Sequence, residues 1–285
     1  MDRNWKGMNM RCIFCKSDSS NSKSVEHIVP ESLGNKSYIL PKGIVCDSCN
    51  NYFALKVEKP VLEMPYFQSL RGRNVIANKK GKIPKISGFT EDKYPIDFVF
   101  SSNDRSGVEI QVKNEIILNS LKKNNKLYFP IYPEPAKENL FLSKFIGKIA
   151  IEALASRFDH ITGWQNDFVN NESINELRNF VRYGCGHNIW PYHMRRIYSE
   201  NLVRHDYEQQ KTYETLYEYD FLIPDPPELD GEWNHFKDCY FVIAIMGVEY
   251  TINMTGNGLD RYNRWIVENP NKSILLMEKS EFNQF

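Results

Sequence analysis

The chain has 285 residues, 41% of them hydrophobic and 13% aromatic, and its 36 Lys+Arg balance its 36 Asp+Glu. That length and apolar share support a real core in one large or two modest domains, as in a soluble globular protein. The longest uninterrupted apolar stretch, Phe241 to Val248, is far too short to span a bilayer, and Met1-Asp2-Arg3-Asn4-Trp5 does not begin a secretory signal, so a cytoplasmic protein with no membrane partner is expected.

Residues 1–11 read as a polar lead-in to a first CxxC knuckle, Cys12-Ile13-Phe14-Cys15. Ser17 to Ser24 has turn composition, Val25 to Val29 reads as a strand that Pro30 ends, and Tyr38 to Leu40 as a weak second strand. Gly43 to Val45 leads into a second knuckle, Cys46-Asp47-Ser48-Cys49. Asn50 is a favourable helix N-cap, and Asn51 to Glu58, with Phe53 and Val57 on one side, predicts a closing helix that stops before Pro60. Two cysteine pairs at this spacing are the signature of a tetrahedral structural Zn2+ site formed by Cys12, Cys15, Cys46 and Cys49. A filled four-thiolate site keeps no open position for water, so chemistry must come from other residues. Between the knuckles stand a carboxylate and an imidazole side by side, Glu26-His27.

This constellation, CxxC, Glu-His, CxxC-Asn, resembles the HNH or ββα-metal endonucleases, specifically the zinc-stapled branch with endonuclease VII-type junction resolvases. The resemblance covers roughly residues 10–60. It implies that His27 is the general base and that Glu26 and Asn50 hold a catalytic Mg2+ or Mn2+, with Glu26 either a ligand or a partner behind one. Two positions depart from the family pattern. Glu26 stands where aspartate is more usual, and the middle asparagine has no counterpart at Leu40-Pro41-Lys42, with Asn35 the nearest substitute. The residue types suit phosphodiester hydrolysis: a neutral imidazole titrates near physiological pH, and magnesium accepts a carboxylate and an amide oxygen while keeping several waters. Neighbouring strand residues point to opposite faces, so Glu26 and His27 share a site only if the strand bends there.

Residues 1–85 hold 15 Lys+Arg against 7 Asp+Glu, leaving 21 against 29 for the remaining 200, a split of +8 and −8. Arg71, Arg73, Lys79, Lys80 and Lys82 form a basic stretch beside the motif, either a phosphate-contacting surface or a solvated hairpin. From Tyr94 the pattern changes. Residues 96–100, 108–112 and 127–130 read as short strands separated by Ser-Asn-Asp and Lys-Asn-Asn turns. Glu138 to Phe158 predicts a helix with one broad apolar face and Lys144 and Lys148 on another, and Ser173 to Tyr183 a second helix stopped by Gly184. Tyr213 to Ile223, Tyr240 to Ile252 broken by Gly247, and Ser273 to Met277 read as strands, with a loop from Pro224 to Pro227 and beyond. Cys185, His187 and His193 read as fillers rather than a second metal site, Arg195-Arg196 as either a phosphate contact or a helix surface, and Cys185 and Cys239 as free thiols in a reducing compartment.

The expected fold class is α+β: a nuclease module over residues 1–62, a basic connector over 63–90, and a mixed α+β domain over 91–285 for target recognition or regulation. The expected function is DNA hydrolysis, DNA rather than RNA on family grounds, in bacterial or phage-related defence or a mobile element. The rival expectations are a zinc-ribbon module that binds nucleic acid without cutting it, and an effector subunit whose C-terminal domain docks a partner protein or a second copy of the chain.

Overall fold

The computed structural model describes residues 10–101, 107–123, 126–200, 202–206, 210–224 and 238–277. They form two compact units: the described parts of residues 1–29, 37–58 and 137–285 make the first, and those of residues 30–36 and 59–136 the second. The division cuts across the segments drawn from composition, because composition marks changes of charge whereas compactness follows which elements share a core.

In the first unit, β1 (Glu26–His27) pairs antiparallel with β2 (Ile39–Leu40), placing Glu26 opposite Leu40 and His27 opposite Ile39. Helix α1 (Asp47–Phe53) follows, so strand, loop, strand, helix is the order present. Its N-cap is Cys46 rather than Asn50: the Cys46 sulfur accepts the Cys49 N–H at 3.4 Å. Asn50 lies one turn inside, its own N–H donating to the Cys46 carbonyl at 2.9 Å. The helical path continues as a π-turn over Ala54–Glu58 and then α2 (Lys59–Leu62), running past the predicted stop. Pro60 follows directly on the π-turn, and the helical path runs through it.

The second unit carries α2, α3 (Pro65–Arg73), β3 (Ile86–Thr90), β4 (Pro95–Phe100), β5 (Val108–Gln111), α4 (Glu115–Lys123) and β6 (Leu127–Tyr128). Its antiparallel sheet runs β5-β4-β3-β6, and Ile86, Ile96, Phe98 and Ile117 form the core, flanked by Phe100, Val112 and Leu127. The three predicted strands are present. The unpredicted β3 reads Ile-Ser-Gly-Phe-Thr, where Gly88 breaks the alternation. The predicted turns at Ser102-Asn103-Asp104 and Asn124-Asn125 lie outside the described residues.

The rest of the first unit contains α5 (Leu140–Phe158), α6 (Trp164–Asn170), α7 (Asn175–Tyr183), β7 (Tyr192–Arg196), β8 (Val203–Asp206), β9 (Lys211–Glu214), β10 (Tyr217–Leu222), β11 (Tyr240–Ile245), β12 (Val248–Asn253) and α8 (Asp260–Glu268). An antiparallel sheet of order β10-β11-β12-β7 lies between two helical layers. On one face Gly147 brings α5 against Ile252 and against Leu177 and Val181 of α7; on the other, Tyr262 and Trp265 of α8 pack on Tyr240, Val242 and Leu222. With both faces covered, every residue of β11 and β12 is buried, which explains the near-continuous apolar run in the sequence. Met246 and Gly247, both at positive φ, make the two-residue turn between them.

Four expectations differ from what is observed. The segment from Tyr213 breaks at Thr215 and Leu216 into β9 and β10, which join separate sheets. Ser273 to Met277 is turn rather than strand, with Ile274 buried in the α8 cluster. Arg195 and Arg196 lie on a strand, and Arg195 donates to the buried Glu249 at 2.6 Å. Lys148 is fully buried, because α5 is packed around most of its circumference rather than along one face. The predicted loop residues Asp225 to Pro227 lie outside the described residues.

Candidate functional site

The two knuckles converge because the chain around each is bent by specific backbone bonds. Cys12 N–H donates to the Ser17 carbonyl and Lys16 N–H to the Cys12 carbonyl, both at 2.9 Å, with Lys16 itself left-handed. The Ile13 N–H reaches the Ile44 carbonyl at 3.0 Å and ties the first knuckle to the second. Gly43 is also required: it has positive φ, and a Cβ there would stand 2.6 Å from the Met10 sulfur. As a result the sulfurs of Cys12, Cys15, Cys46 and Cys49 all lie within 4.8 Å of one another. Sulfurs about 2.3 Å from one tetrahedral Zn2+ are about 3.8 Å apart, so the set fits that ion. Hydrogen bonding to Cys12 and burial push the Cys15 thiol up to about 12. Thiolates crowded this closely are stable only around a cation, which is what a zinc ion provides. Arg182 of α7 donates its Nε to the Cys49 sulfur at 3.1 Å while its guanidinium lies 4.3 Å from the Tyr52 ring centroid, orienting one ligand from outside the cluster.

The staple also fixes β1. Asp47, in the first turn of α1, accepts the backbone N–H groups of Lys23 at 3.0 Å and Ser24 at 2.8 Å together with the Ser24 hydroxyl at 2.5 Å. These bonds hold its carboxyl below the usual range, Ser24 contributing most. One turn on, the Asn50 amide donates to the Val25 carbonyl at 3.3 Å. Two side chains of the cysteine-capped helix therefore grip the three residues that precede Glu26 and His27. His27 is half-buried, with its Nδ1 screened from solvent.

Glu26 turns inward. Its side chain is 8% exposed, and Oε1 accepts from the Lys148 ammonium at 2.5 Å. The same ammonium reaches Glu58 Oε1 at 2.7 Å, Glu152 Oε2 at 3.0 Å and the His27 main-chain carbonyl at 3.2 Å. Burial opposes the Lys148 charge, but Glu152, Glu26 and Glu58 together outweigh it and hold the ammonium well above the ordinary lysine range. Burial pushes the Glu152 carboxyl well above the usual carboxylate range, with Lys148 pulling the other way. An oxygen-donor set of one carboxylate and one amide suits Mg2+ or Mn2+. Glu26 lies on β1 and gives one oxygen to Lys148, while Asn50 bonds the residue just before the strand.

The basic residues divide. Lys79, Lys80 and Lys82 are exposed on a turn that Asn78 organises, its side chain accepting from the Lys80 and Lys82 N–H groups at 2.9 and 3.0 Å. Arg71, expected on the same surface, is 6% exposed on α3, where burial lowers its pKa, so its guanidinium does not face solvent. Arg73 is half-buried and bonds Ser69 on its own helix. Asn35 is fully buried. Cys185 is exposed, and His187 pairs with Glu176 at 2.6 Å; among the described residues the four cysteines alone group as metal ligands.

Sequence reasoning misses Lys148, Glu58, Glu152, Asp47 and Arg182. Lys148 and Glu152 do leave a signal: two opposite charges one turn apart inside the otherwise apolar run Phe145 to Ala153 mark a buried ion pair. Asp47 and Arg182 leave none, since single charged residues on short helices are ordinary.

A four-cysteine staple that holds a two-residue β-hairpin against the first turns of a helix defines a ββα-metal module. Residues 12–65 match the family model of the HNH endonucleases, so the N-terminal part of the chain is an HNH module. No curated protein and no solved structure matches the chain. Among the described residues no helix is long and apolar enough to cross a membrane.

Proposed function

We propose that this protein is a metal-dependent endonuclease that hydrolyses DNA phosphodiester bonds, with His27 as general base. The observation that carries the reading is the module itself: an imidazole on a strand gripped by Asp47 and Asn50 of the cysteine-capped helix, within the span that matches HNH endonucleases. In this reading His27 takes the proton from the attacking water, and the grip on residues 23–25 holds the backbone that leads into its strand. Glu26 and Asn50 are the residues that would hold a divalent cation. When bound, such an ion stabilises the charge that builds on phosphorus and on the departing 3′ oxygen. The exposed Lys79, Lys80 and Lys82 supply non-specific attraction for the phosphate backbone. The products would be 5′-phosphate and 3′-hydroxyl ends, and the family resemblance suggests action on foreign DNA.

The engagement of Glu26 by Lys148 favours one rival, a module that binds nucleic acid without cutting it. Incubating supercoiled plasmid with the protein and Mg2+ or Mn2+ separates the two. Nicks or breaks that fall by about 10²–10⁴-fold in His27→Ala, with zinc content and circular dichroism unchanged, support the nuclease. Plasmid that is retarded on a gel but left intact at every metal concentration supports the binder.

A further inference from the structure

We propose that Lys148 is a positioning residue for the module: its ammonium, seated between Glu58 and Glu152, orients the Glu26 carboxylate and pins the His27 main chain, so that α5 sets how β1 presents its imidazole and carboxylate. This rests on the nuclease reading above and extends it to residues about 120 positions further along the chain, outside the span matched to the family.

Strand β1 contains a conflict. Successive strand residues face opposite sides, so a Glu-His pair serves one site only where the backbone between them departs from a flat strand. Lys148 contacts both at once: Glu26 Oε1 at 2.5 Å and the His27 carbonyl at 3.2 Å. A two-residue strand has little rigidity of its own; Asp47 and Asn50 hold the residues before it, the Ile28 N–H donates to the Tyr38 carbonyl at 3.1 Å just after it, and Lys148 adds a contact at the His27 carbonyl itself. The lysine can do this because it is itself immobile. Its side chain is fully buried, and three carboxylates at 2.5, 2.7 and 3.0 Å constrain the ammonium from three directions. Those carboxylates come from three elements: Glu26 from β1, Glu58 from the π-turn that follows α1, and Glu152 from the next turn of α5. The π-turn thereby acquires a purpose, because it is the segment that carries Glu58 to the ammonium. A cluster with more carboxylates than ammonium also leaves negative charge behind the strand, which favours a divalent cation in front of it. Contact with the main chain of the candidate base and with the candidate metal ligand makes Lys148 a positioning group.

The test uses Lys148→Met in the full chain, with Lys148→Leu/Glu152→Leu as a second variant that removes the most buried of the three carboxylates together with the ammonium and so lessens the folding penalty. Zinc stoichiometry and circular dichroism establish that each is folded. Mn2+ binding is followed by electron paramagnetic resonance, the paramagnetic relaxation of the His27 ring protons by NMR, and cleavage by single-turnover kinetics. Expected in whichever variant folds are an Mn2+ affinity lower by about 10- to 100-fold, weaker relaxation of the His27 ring, and a cleavage step slowed similarly with the KM for DNA unchanged. A folded variant with wild-type Mn2+ affinity and wild-type relaxation overturns the assignment. If wild type binds Mn2+ near His27 in a Lys148-dependent way but never cuts DNA, the nuclease reading fails while the positioning role stands.

Discussion

Replacing Lys148 by methionine removes an ammonium from a fully buried position and leaves Glu26, Glu58 and Glu152 facing one another without a counter-charge. Losing one partner of a buried ion pair costs about 3–5 kcal/mol, because the remaining charge stays desolvated. Three partners are deserted here, which raises the figure, but Glu26 and Glu58 keep 8% and 15% exposure and a little water, which lowers it. We expect a net loss of about 4 kcal/mol near neutral pH, where each kcal/mol corresponds to about 2–4 °C for a unit of this size, so Tm should fall by about 8–16 °C. The sign of the pH dependence follows from Glu152. Burial already raises its carboxyl well above the ordinary glutamate range, and removing the opposing pull of Lys148 raises it further. A raised carboxyl stabilises the fold below its unfolded pKa and loses that contribution as pH rises through the folded value. The deficit should therefore shrink as pH falls toward the ordinary carboxylate range and widen above neutrality. Calorimetric unfolding of wild type and variant between about pH 5 and 8 measures both quantities. A loss below about 1 kcal/mol, or a deficit that grows on acidification, would refute a charged Lys148 in a dry cage.

Cys46→Ser should release the structural ion and unfold the module, since zinc binding contributes roughly 10–16 kcal/mol in small zinc domains; zinc content and circular dichroism test this, and a folded, zinc-free protein would count against the assignment. Glu152→Gln keeps a polar partner on Lys148 but removes the titrating carboxyl, so its stability should vary less than wild type's from about pH 5 to 8, as read by chemical denaturation. Lys79→Ala/Lys80→Ala/Lys82→Ala should weaken DNA binding evenly across sequences and reduce the salt slope by about 0.9 for each phosphate that is no longer neutralised, measured by fluorescence anisotropy. Arg71→Ala, on a buried position, should lower Tm while leaving that slope unchanged.

The four-cysteine cluster is legible in the sequence because its signal is local. Two CxxC pairs announce four converging sulfurs whatever surrounds them, and Glu26-His27 with Asn50 take candidate roles by position alone. The strands at 96–100 and 108–112 and the helices ending at Phe158 and Tyr183 are equally visible, each carrying its own period of apolar residues. Other parts mislead where a local rule meets a tertiary exception. Asn50 has the composition of an N-cap, yet the Cys46 sulfur takes that role; Pro60 reads as a stop, yet the helical path continues through it after the π-turn.

What the amino-acid order determined by itself is the chemistry available: four thiols at metal spacing, an acid-histidine pair, and a surplus of cations in the first 85 residues. What tertiary structure alone decided is where that chemistry faces. Arg71 reads as part of a basic surface and is buried, Lys148 lies at the centre of a buried cluster, and Lys79, Lys80 and Lys82 remain outside. The physical reason is that a buried charge depends on partners remote in the chain. The ammonium of Lys148 is stable inside the protein because folding brings Glu26 and Glu58 to it from more than 80 positions away, and no window of local sequence contains that pairing.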